Sequence, residues 1–458
     1  MYRYALKDLD SWKSNPNRKP LILRGARQVG KTFLIRLFAG DNFDHLVEIN
    51  FERDPEISTI FASKDPEKIL PLLELQFDVS IKPGATLLFL DEIQAAPEVL
   101  STLRYFYEEM PDLHVIAAGS LLDFALEEPS FSMPVGRIEY MHLGPMQFEE
   151  FLMAAGKGRH ADFLNNLSPG EEIPEPIHRQ LLALLKIFLV TGGMPEAIAV
   201  YLEGNSWQQS ESIKQSLLLT YQDDFSKYQG RIQHQRLVRV FKKLPVLAGQ
   251  KFKYVNVDRN ERAADLDRAL TMLCRARVAY KILHSSCSGI PLGATINDKK
   301  FKVLFLDVGL MSMASGLSLL DYEKAEDVMM VNAGSVCEQF IGQHLLFSRQ
   351  PYLEPELNYW VREKKNSSAE VDYVVSEGQA IVPIEVKAGK SGTLKSLHLF
   401  LAEKSLSLGV RFNSDIPSLM TLDALLPGGQ NLSYRLLSLP LYLVGQTRRF
   451  IRLCFGDG

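Results

Sequence analysis

The pattern of apolar and polar positions predicts an α/β sheet domain at the start of the chain. Five apolar or alternating runs, each long enough for one strand, are separated by polar or helix-like stretches. They cover residues 21–24, 44–50, 86–90, 113–118 and 138–143. The run at 87–90 is uninterrupted and apolar, which is typical of a parallel strand covered on both faces. Helical periodicity over residues 65–79 separates two of the runs, as expected for a sheet with crossover helices.

The middle of the chain is predicted to be mostly helical. Over residues 181–190 apolar side chains recur at spacings of three and four, within a segment that extends from 150 to 230. Two glycines and a proline in Thr191–Glu196 interrupt this pattern. The interruption predicts either a hinge-competent turn or an ordinary helix connector.

The next segment predicts short helices followed by a β-wing. Residues 231–281 have helical spacing, and strand-like runs follow at 278–283 and 302–307. Helices followed by a wing make a winged helix. Residues 231–281 also hold thirteen Lys and Arg against four Asp and Glu, a local net charge of +9. This basic segment favours contact with double-stranded DNA, but winged helices also mediate protein contacts and charged helix faces are often only solvated.

After a linker predicted around residues 315–327, the C-terminal part returns to a mixed pattern. A helix is predicted over residues 336–346, and two strands over 370–375 and 380–387 are joined by a turn at 377–378. Further elements are expected to complete this part of the chain. They are a helix at 396–401, a strand at 408–412 and a closing segment at 437–444.

Composition places the chain among globular proteins. Its 458 residues are 46% hydrophobic and 23% charged, with a net charge of −4. The sequence contains no apolar run of the ~18 residues needed to cross a bilayer, so we expect no membrane contact. Residues 1–8 lack the apolar core of a secretory signal, and residues 1–20 resemble a polar leader into the first strand. Four scattered cysteines without CxxC spacing indicate neither disulfides nor zinc, and a cytoplasmic location is expected.

The first candidate site is a glycine loop between a strand and a helix. Gly25 and Gly30 frame the pattern Gly-x-x-x-x-Gly-Lys-Thr, in which backbone N–H groups turn toward one phosphate. Lys31 is expected to reach the β- and γ-phosphates of ATP, and the Thr32 hydroxyl to ligate Mg²⁺. The residues predicted to hold the nucleotide are Gly25, Ala26, Arg27, Gln28, Val29, Gly30, Lys31 and Thr32.

Two acids at the end of a buried strand complete this site. Asp91 is expected to hold Mg²⁺ together with Thr32, directly or through water. Glu92 is expected to act as the general base on the attacking water. The alternative is a surface Asp-Glu pair that merely ends a strand.

Three further polar residues are weaker candidates for the nucleotide site. Ser120 follows a predicted strand and is either a sensor of the γ-phosphate or the N-cap of a helix from Leu121 onward. Arg137 is either an arginine finger that acts on a neighbouring subunit or a salt-bridge partner within its own chain. Arg27, inside the loop, is a second and weaker finger candidate.

A second constellation lies in the C-terminal part. Glu338 on a helix, Asp372 on a strand, and Glu385 and Lys387 on the same face of the next strand resemble the order of the PD-(D/E)xK nuclease core. Converging carboxylates repel one another unless a divalent cation joins them, so Asp372 and Glu385 are predicted metal ligands. Lys387 would stabilise charge on an attacked phosphodiester. Val371 stands where the motif has proline, so the resemblance implies the fold and not proven cleavage.

The order of these motifs resembles that of a family of prokaryotic AAA-type ATPases related to the STAND NTPases. This family carries a C-terminal domain of unknown function, and the resemblance extends over nearly the whole chain. It rests on residues 25–32, 90–94, 118–120, 136–137, 145–151 and 192–196. It implies that Gly193, Met194 and Pro195 contact the nucleotide from a helical lid and sense whether ADP or ATP is bound. It also implies a winged helix in the basic segment.

Together these features predict an α/β protein with a P-loop parallel sheet, a helical lid, a winged-helix module and a PD-(D/E)xK-like domain. The predicted segments are 1–150, 151–230, 231–316 and 325–458. One functional hypothesis is an ATP-hydrolysing enzyme that acts on or near DNA, in its sharper form an ATP-gated, metal-dependent nuclease. The other is a STAND-like switch that acts through a protein partner or a homo-oligomer, with both downstream domains as scaffolds.

Overall fold

The computed structural model describes residues 1–120, 122, 133–204, 206–225, 231–317, 333–364, 367–387, 393–426 and 429–456. The chain divides into two compact units. The first comprises Met1–Gly144 with the short segments Arg275–Val278 and Arg349–Pro355. The second comprises Pro145–Cys274, Ala279–Ser348 and Glu356–Gly458.

The first unit is built on a five-stranded parallel sheet with the order β2-β3-β4-β1-β5. Its strands are β1 (Leu21–Arg24), β2 (His45–Asn50), β3 (Thr86–Asp91), β4 (His114–Gly119) and β5 (Glu139–His142). Its helices are α1 (Ala5–Ser14), α2 (Lys31–Asn42), α3 (Pro66–Phe77) and α4 (Leu103–Glu109). Every residue of β3 and β4 is buried, as the apolar runs predicted.

One expectation for this unit is wrong. Residues 1–20 are not merely a polar leader, because they contain α1. Leu9 and Trp12 on α1 are buried, and the Trp12 indole donates a hydrogen bond to the Lys19 carbonyl at 2.8 Å. Two apolar side chains in a polar segment are enough to attach this helix to the core.

The parallel sheet places the predicted chemistry at one edge. The loop 25–30 follows β1, Asp91 ends β3 and Ser120 follows β4. Because the carboxyl ends of parallel strands meet at the same edge, ligands of such sheets lie there.

The second unit begins with the predicted helices. They are α5 (Phe148–Ala154), α6 (Gly158–Asn166), α7 (Glu175–Thr191), α8 (Pro195–Gly204) and α9 (Trp207–Asp224). On α7 the side chains of Leu181, Leu185 and Phe188 form a buried stripe at the spacing of one helix face.

The same unit continues with helices around an eight-stranded mixed sheet. The helices are α10 (Arg231–Leu247), α11 (Tyr254–Val257), α12 (Ala263–Arg275), α13 (Val308–Ala314), α14 (Ala333–Leu346), α15 (Lys395–Lys404) and α16 (Thr447–Phe455). The strands are β6 (Ala279–Ser285), β7 (Ile296–Phe305), β8 (Asn358–Lys364), β9 (Ser367–Glu377), β10 (Ala380–Val386), β11 (Leu408–Asn413), β12 (Ser418–Leu425) and β13 (Asn431–Pro440).

This sheet has the order β12-β13-β11-β10-β9-β8-β6-β7. The antiparallel pair β6–β7 follows three helices, as a wing would. It joins β8 through the pairs Leu283–Asn358 and His284–Tyr359. One sheet therefore contains strands from both of the predicted segments 231–316 and 325–458. The division of the chain into four domains stays a prediction. The predicted α/β class with a parallel P-loop sheet is confirmed.

Two expectations fall outside the described residues. The helix predicted from Leu121 onward falls largely on residues 121 and 123–132, and the linker predicted around residues 315–327 falls largely on 318–332. Among the described helices, none combines the length and apolar character that a membrane span requires.

Candidate nucleotide site and carboxylate cluster

The loop after β1 has the backbone geometry of an anion-binding turn. Gly30 has φ +90° and precedes the first turn of α2, so a left-handed residue sits where the helix begins. A Cβ at Gly25 would collide with the Leu143 carbonyl oxygen. Both glycines of the motif are therefore required by the backbone.

Lys31 lies inside this loop. The residue is 7% exposed, and its Nζ donates hydrogen bonds to the carbonyl oxygens of Gly25 at 3.0 Å and Ala26 at 2.9 Å. Burial lowers the pKa of Lys31 to about 8, although Glu92 and Asp91 partly oppose this shift. An anion bound in the loop would supply the negative charge that this ammonium lacks.

Thr32 and Asp91 meet across the sheet edge. The Thr32 hydroxyl donates a 3.0 Å hydrogen bond to Asp91 Oδ2, and Asn50 Nδ2 lies 3.5 Å from the same oxygen. Burial and the neighbouring Glu92 raise the pKa of Asp91. A hydroxyl and a carboxylate short of positive charge fit Mg²⁺, which prefers oxygen ligands. Sequence reasoning assigned no role to Asn50, because an Asn that ends a strand carries no motif.

Glu92 is held by a neighbour that sequence reasoning left without a role. Its backbone is left-handed with φ +50°, and Gln94 Nε2 donates to Glu92 Oε2 at 2.5 Å. The Gln94 amide oxygen lies against Gly119, where a Cβ would collide with it. Gly119 on β4 therefore leaves the space in which Gln94 positions the Glu92 carboxylate.

The weaker candidates occupy different surroundings. The Arg27 guanidinium donates to the Ser120 hydroxyl at 3.3 Å and lies 3.6 Å from Glu52. Arg137 pairs with Glu108 of its own chain at 2.7 Å. The salt-bridge alternative for Arg137 is thus the contact seen in one subunit, and its role as a finger stays a prediction.

The Gly-Met-Pro turn is anchored inside the second unit. The Gly193 N–H donates to Asp307 Oδ2 at 2.6 Å, and the Gly193 carbonyl accepts from the Met146 N–H at 2.7 Å. A Cβ at Gly192 would collide with Asp307 Oδ1. Pro195 begins α8, and its contact with the nucleotide stays a prediction.

The second constellation does come together. Asp372 on β9 accepts a 2.8 Å hydrogen bond from the Val386 N–H on β10. The Lys387 ammonium forms an ion pair with Glu385. Glu338 on α14 faces the same group of acids, because its Oε2 shares a lysine with Asp372.

That lysine is Lys302 on β7, which sequence reasoning missed. Its Nζ lies 2.5 Å from Glu370 Oε1, 3.4 Å from Glu338 Oε2 and 3.5 Å from Asp372 Oδ1. Its side chain is 2% exposed. The lysine lies 36 residues before Glu338, outside the spacing of the nuclease motif, so only the folded sheet reveals it.

The acids of this cluster outnumber the lysines. Burial and the nearby Asp372 raise the pKa of Glu338 to about 8 and that of Glu385 to about 7. Burial alone would lower the pKa of Lys302, but Glu338, Asp372 and Glu370 raise it above its ordinary value. Lys302 is therefore held charged, and protons on the buried glutamates balance part of the remaining negative charge.

The divalent metal predicted at Asp372 and Glu385 stays a prediction, and a lysine lies beside one of these two acids. Within the described part of the chain, no three acidic, histidine or cysteine side chains are placed to hold an ion. The Lys302 ammonium instead lies among the carboxylates that the metal would need. Glu385 Oε2 is buried and accepts no hydrogen bond from described residues.

The basic segment is partly neutralised by its own acids. Arg236 pairs with Glu261 at 2.9 Å, Arg239 with Asp258 at 2.6 Å, and Lys281 with Asp267 at 3.0 Å. Several other basic residues of the segment are exposed. They are Lys242, Lys243, Lys253, Arg259, Arg262 and Arg268.

The parallel sheet, the glycine loop and the pairing of Thr32 with Asp91 define a P-loop ATPase of the AAA type in the first unit. Comparison with family models supports this class, because residues 17–152 match the AAA domain. Residues 182–321 and 333–416 match two domains of unknown function, DUF8612 and DUF4143. Comparison with curated proteins gave no match.

Several solved structures resemble the chain weakly. The Aeropyrum pernix ORC2 protein, in ADPNP–ADP complexes, is 12% identical over 71% of this chain and 96% of its own, with a TM-score of 0.34. The STAND protein PH0952 from Pyrococcus horikoshii, with a tetratricopeptide repeat sensor, is 12% identical over 77% of this chain and 46% of its own, at 0.26. Drosophila ORC bound to DNA is 15% identical over 68% and 85%, at 0.24.

Proposed function

We propose that the protein binds and hydrolyses ATP with Mg²⁺ as the cofactor, and that the bound nucleotide controls the rest of the chain. The observation that carries this proposal is the 3.0 Å contact between Thr32 and Asp91, beside a loop that already encloses the Lys31 ammonium. A strand end that merely faces solvent would not bury a carboxylate against a threonine hydroxyl.

The roles of the residues follow from their positions. Lys31 would exchange its two carbonyl partners for phosphate oxygens, while the N–H groups of residues 25–32 surround the same anion. Thr32 and Asp91 would hold Mg²⁺, which neutralises phosphate charge when bound. Glu92, held by Gln94, would accept the proton of the water that attacks the γ-phosphate.

Two variants test this proposal. Lys31→Ala should weaken ATP binding at least tenfold, because a buried ammonium is lost from the phosphate site. Glu92→Gln should keep binding and lose hydrolysis by about 10²-fold or more, the usual size of a general-base effect. Binding is measured with a fluorescent ATP analogue and hydrolysis by phosphate release.

Matched controls come from exposed residues of the same unit. Lys68→Ala and Glu98→Gln change the same residue types at solvent-facing positions and should leave both measurements unchanged. Full hydrolysis by Lys31→Ala would rule out the glycine loop as the ATP site.

Association with double-stranded DNA through residues 231–281 is the finer proposal. Acids of this segment form ion pairs with basic side chains of the same segment. Other basic side chains, such as those of Lys242 and Lys243 on α10, are exposed, and they support this proposal. Charge reversal at both lysines should weaken duplex binding measured by fluorescence anisotropy. Unchanged binding would favour a protein partner for this face.

For the C-terminal domain, an ATP-gated nuclease and a STAND-like switch with an inactive nuclease-like domain are the two candidates. The Lys302 ammonium among the carboxylates favours the switch, because metal-dependent cleavage needs a cation that activates water there. Plasmid cleavage in Mg²⁺ and ATP that is lost in Asp372→Ala would instead establish the nuclease. In either case Pro195 and Arg137 remain the candidates for lid sensing and for contact between copies in a homo-oligomer.

A further inference from the structure

The carboxylate cluster of the second unit already contains a cation. Lys302 Nζ lies within 3.5 Å of oxygens from three acids, Glu338, Glu370 and Asp372. These are ion-pair distances for an ammonium, and they leave the nitrogen at the point where the three carboxylates converge. A divalent ion bound by the same oxygens would lie about 2.0–2.6 Å from each of them, and it would compete with the ammonium for their negative charge.

The other oxygens of the cluster are also engaged by the protein. Asp372 Oδ2 accepts the Val386 N–H at 2.8 Å, and Glu385 Oε1 pairs with Lys387. Fewer carboxylate oxygens are therefore available to a metal ion than the number of acids in the cluster suggests. Glu385 Oε2 is the buried oxygen of these acids that accepts no hydrogen bond from described residues.

Lys302 is fixed in this position by the strand that carries it. The Gln339 amide on α14 accepts from the Phe305 N–H at 2.9 Å and donates to the Phe305 carbonyl at 2.7 Å. The Phe301 carbonyl accepts from the Phe252 N–H at 2.9 Å. Hydrogen bonds therefore hold β7 on both sides of Lys302, whose side chain is 2% exposed.

We propose that Lys302 is the resident cation of this cluster, in the place that a divalent metal would take, so that the acids fasten β7 to β9 and α14 and bind no divalent ion. Removal of this one side chain should turn the cluster into a metal site. The proposal concerns the second unit alone and does not depend on ATP hydrolysis.

The test is a titration of the full chain with Mn²⁺, in which electron paramagnetic resonance measures the concentration of the free ion. All proteins carry Asp91→Asn, which removes the predicted metal ligand of the first unit, and no nucleotide is added. The Asp91→Asn protein should bind Mn²⁺ no better than its Glu385→Gln derivative. Added Lys302→Ala should create one site at least tenfold tighter than any in the parent, and Glu385→Gln should abolish it.

Lys299→Ala is the matched control, because Lys299 lies on the same strand and is exposed. It should gain no site. The proposal would be overturned if the Asp91→Asn parent bound Mn²⁺ and Glu385→Gln removed that binding. This comparison needs no change at Lys302. A folded Lys302→Ala protein that gains no site would overturn it as well, with folding checked by circular dichroism.

Discussion

At the residue scale, the buried ammonium groups of Lys31 and Lys302 have opposite surroundings. Lys31 faces carbonyl oxygens, and burial lowers its pKa to about 8. Lys302 faces three carboxylates, which raise its pKa above the ordinary value. The first lysine is short of negative charge until an anion binds, whereas the second already has its partners. This difference separates a ligand site from an internal ion pair.

The pKa of Lys31 predicts how ATP binding depends on pH. Below about pH 8 the Lys31 side chain of the free protein is charged. Above about pH 8 it is neutral and must take up a proton when ATP binds, because phosphate stabilises the charged form. Affinity should therefore be flat up to about pH 8 and then fall, by at most tenfold per pH unit. Titrations with a fluorescent ATP analogue between pH 7 and 9.5 measure this. Lys31→Met should bind ATP more weakly and show no such fall in affinity. An equal fall in both proteins would show that a group other than Lys31 causes the pH dependence.

Glu338 predicts a pH dependence of stability. Its pKa rises from 4.5 to about 8 on folding, mainly through burial. Between these values the folded state holds a proton that the unfolded state has released. The contribution is therefore complete below about pH 4.5 and is lost as pH rises through about 8. Glu338→Gln should flatten the stability profile between pH 5 and 8.

Urea unfolding at several pH values provides this measurement. Glu356→Gln is the control, since Glu356 is an exposed glutamate in the same unit. It should reproduce the slope of the unchanged protein. A Glu338→Gln protein with the same slope would show that other groups dominate the pH dependence.

At the element scale, the turn between α7 and α8 is held by a buried acid from another element. Asp307 directly precedes α13, and its carboxylate accepts the N–H groups of Gly193 at 2.6 Å and Leu310 at 3.0 Å. Gln343 on α14 accepts the Val308 N–H through Oε1 at 2.8 Å, and its Nε2 lies 3.5 Å from Asp307 Oδ2. The turn predicted to sense the nucleotide is thus attached to the helix that carries Glu338.

Gly192 gives a test of this attachment. It has φ +76°, and a Cβ there would collide with Asp307 Oδ1. Gly316 has φ +74° with open space around it. Gly192→Ala and Gly316→Ala should both incur backbone strain of roughly 1–3 kcal/mol. Only Gly192→Ala should add the cost of displacing Asp307, so it should lower the free energy of unfolding further. Equal losses in urea unfolding would show that the close approach to Asp307 contributes little.

Local patterns predicted the elements that carry the nucleotide site, because each part of that site follows its own apolar strand. The loop after β1 and Asp91 at the end of β3 are examples. The same reasoning missed α1, whose buried face consists of few residues, and it also missed β8 and β12. In β12 most positions are exposed or half-buried, so the strand lacks an apolar signal. Lys302 was missed because its partners lie on α14 and β9, and no local spacing encodes such a meeting.

At the scale of the whole molecule, charge is distributed unevenly. The chain carries a net charge of −4, so it has no general attraction to a polyanion. Residues 231–281 depart from this average with a local net of +9. The acids of that segment engage basic neighbours such as Arg236 and Arg239, which leaves exposed lysines on α10. Any affinity for duplex DNA must therefore come from a few local phosphate contacts.

A small number of contacts predicts a shallow salt dependence of duplex binding. Each neutralised phosphate contributes about −0.9 to the slope of log affinity against log salt. Replacing both Lys242 and Lys243 by alanine should therefore reduce the slope by roughly two, with a loss of affinity that is similar for unrelated duplex sequences. Fluorescence anisotropy from low to moderate salt measures both quantities. Lys64→Ala with Lys68→Ala is the control, since these exposed lysines lie in the first unit and should leave the slope unchanged. Binding that does not weaken with salt would rule out phosphate contacts, and the exposed basic face would then be assigned to a protein partner.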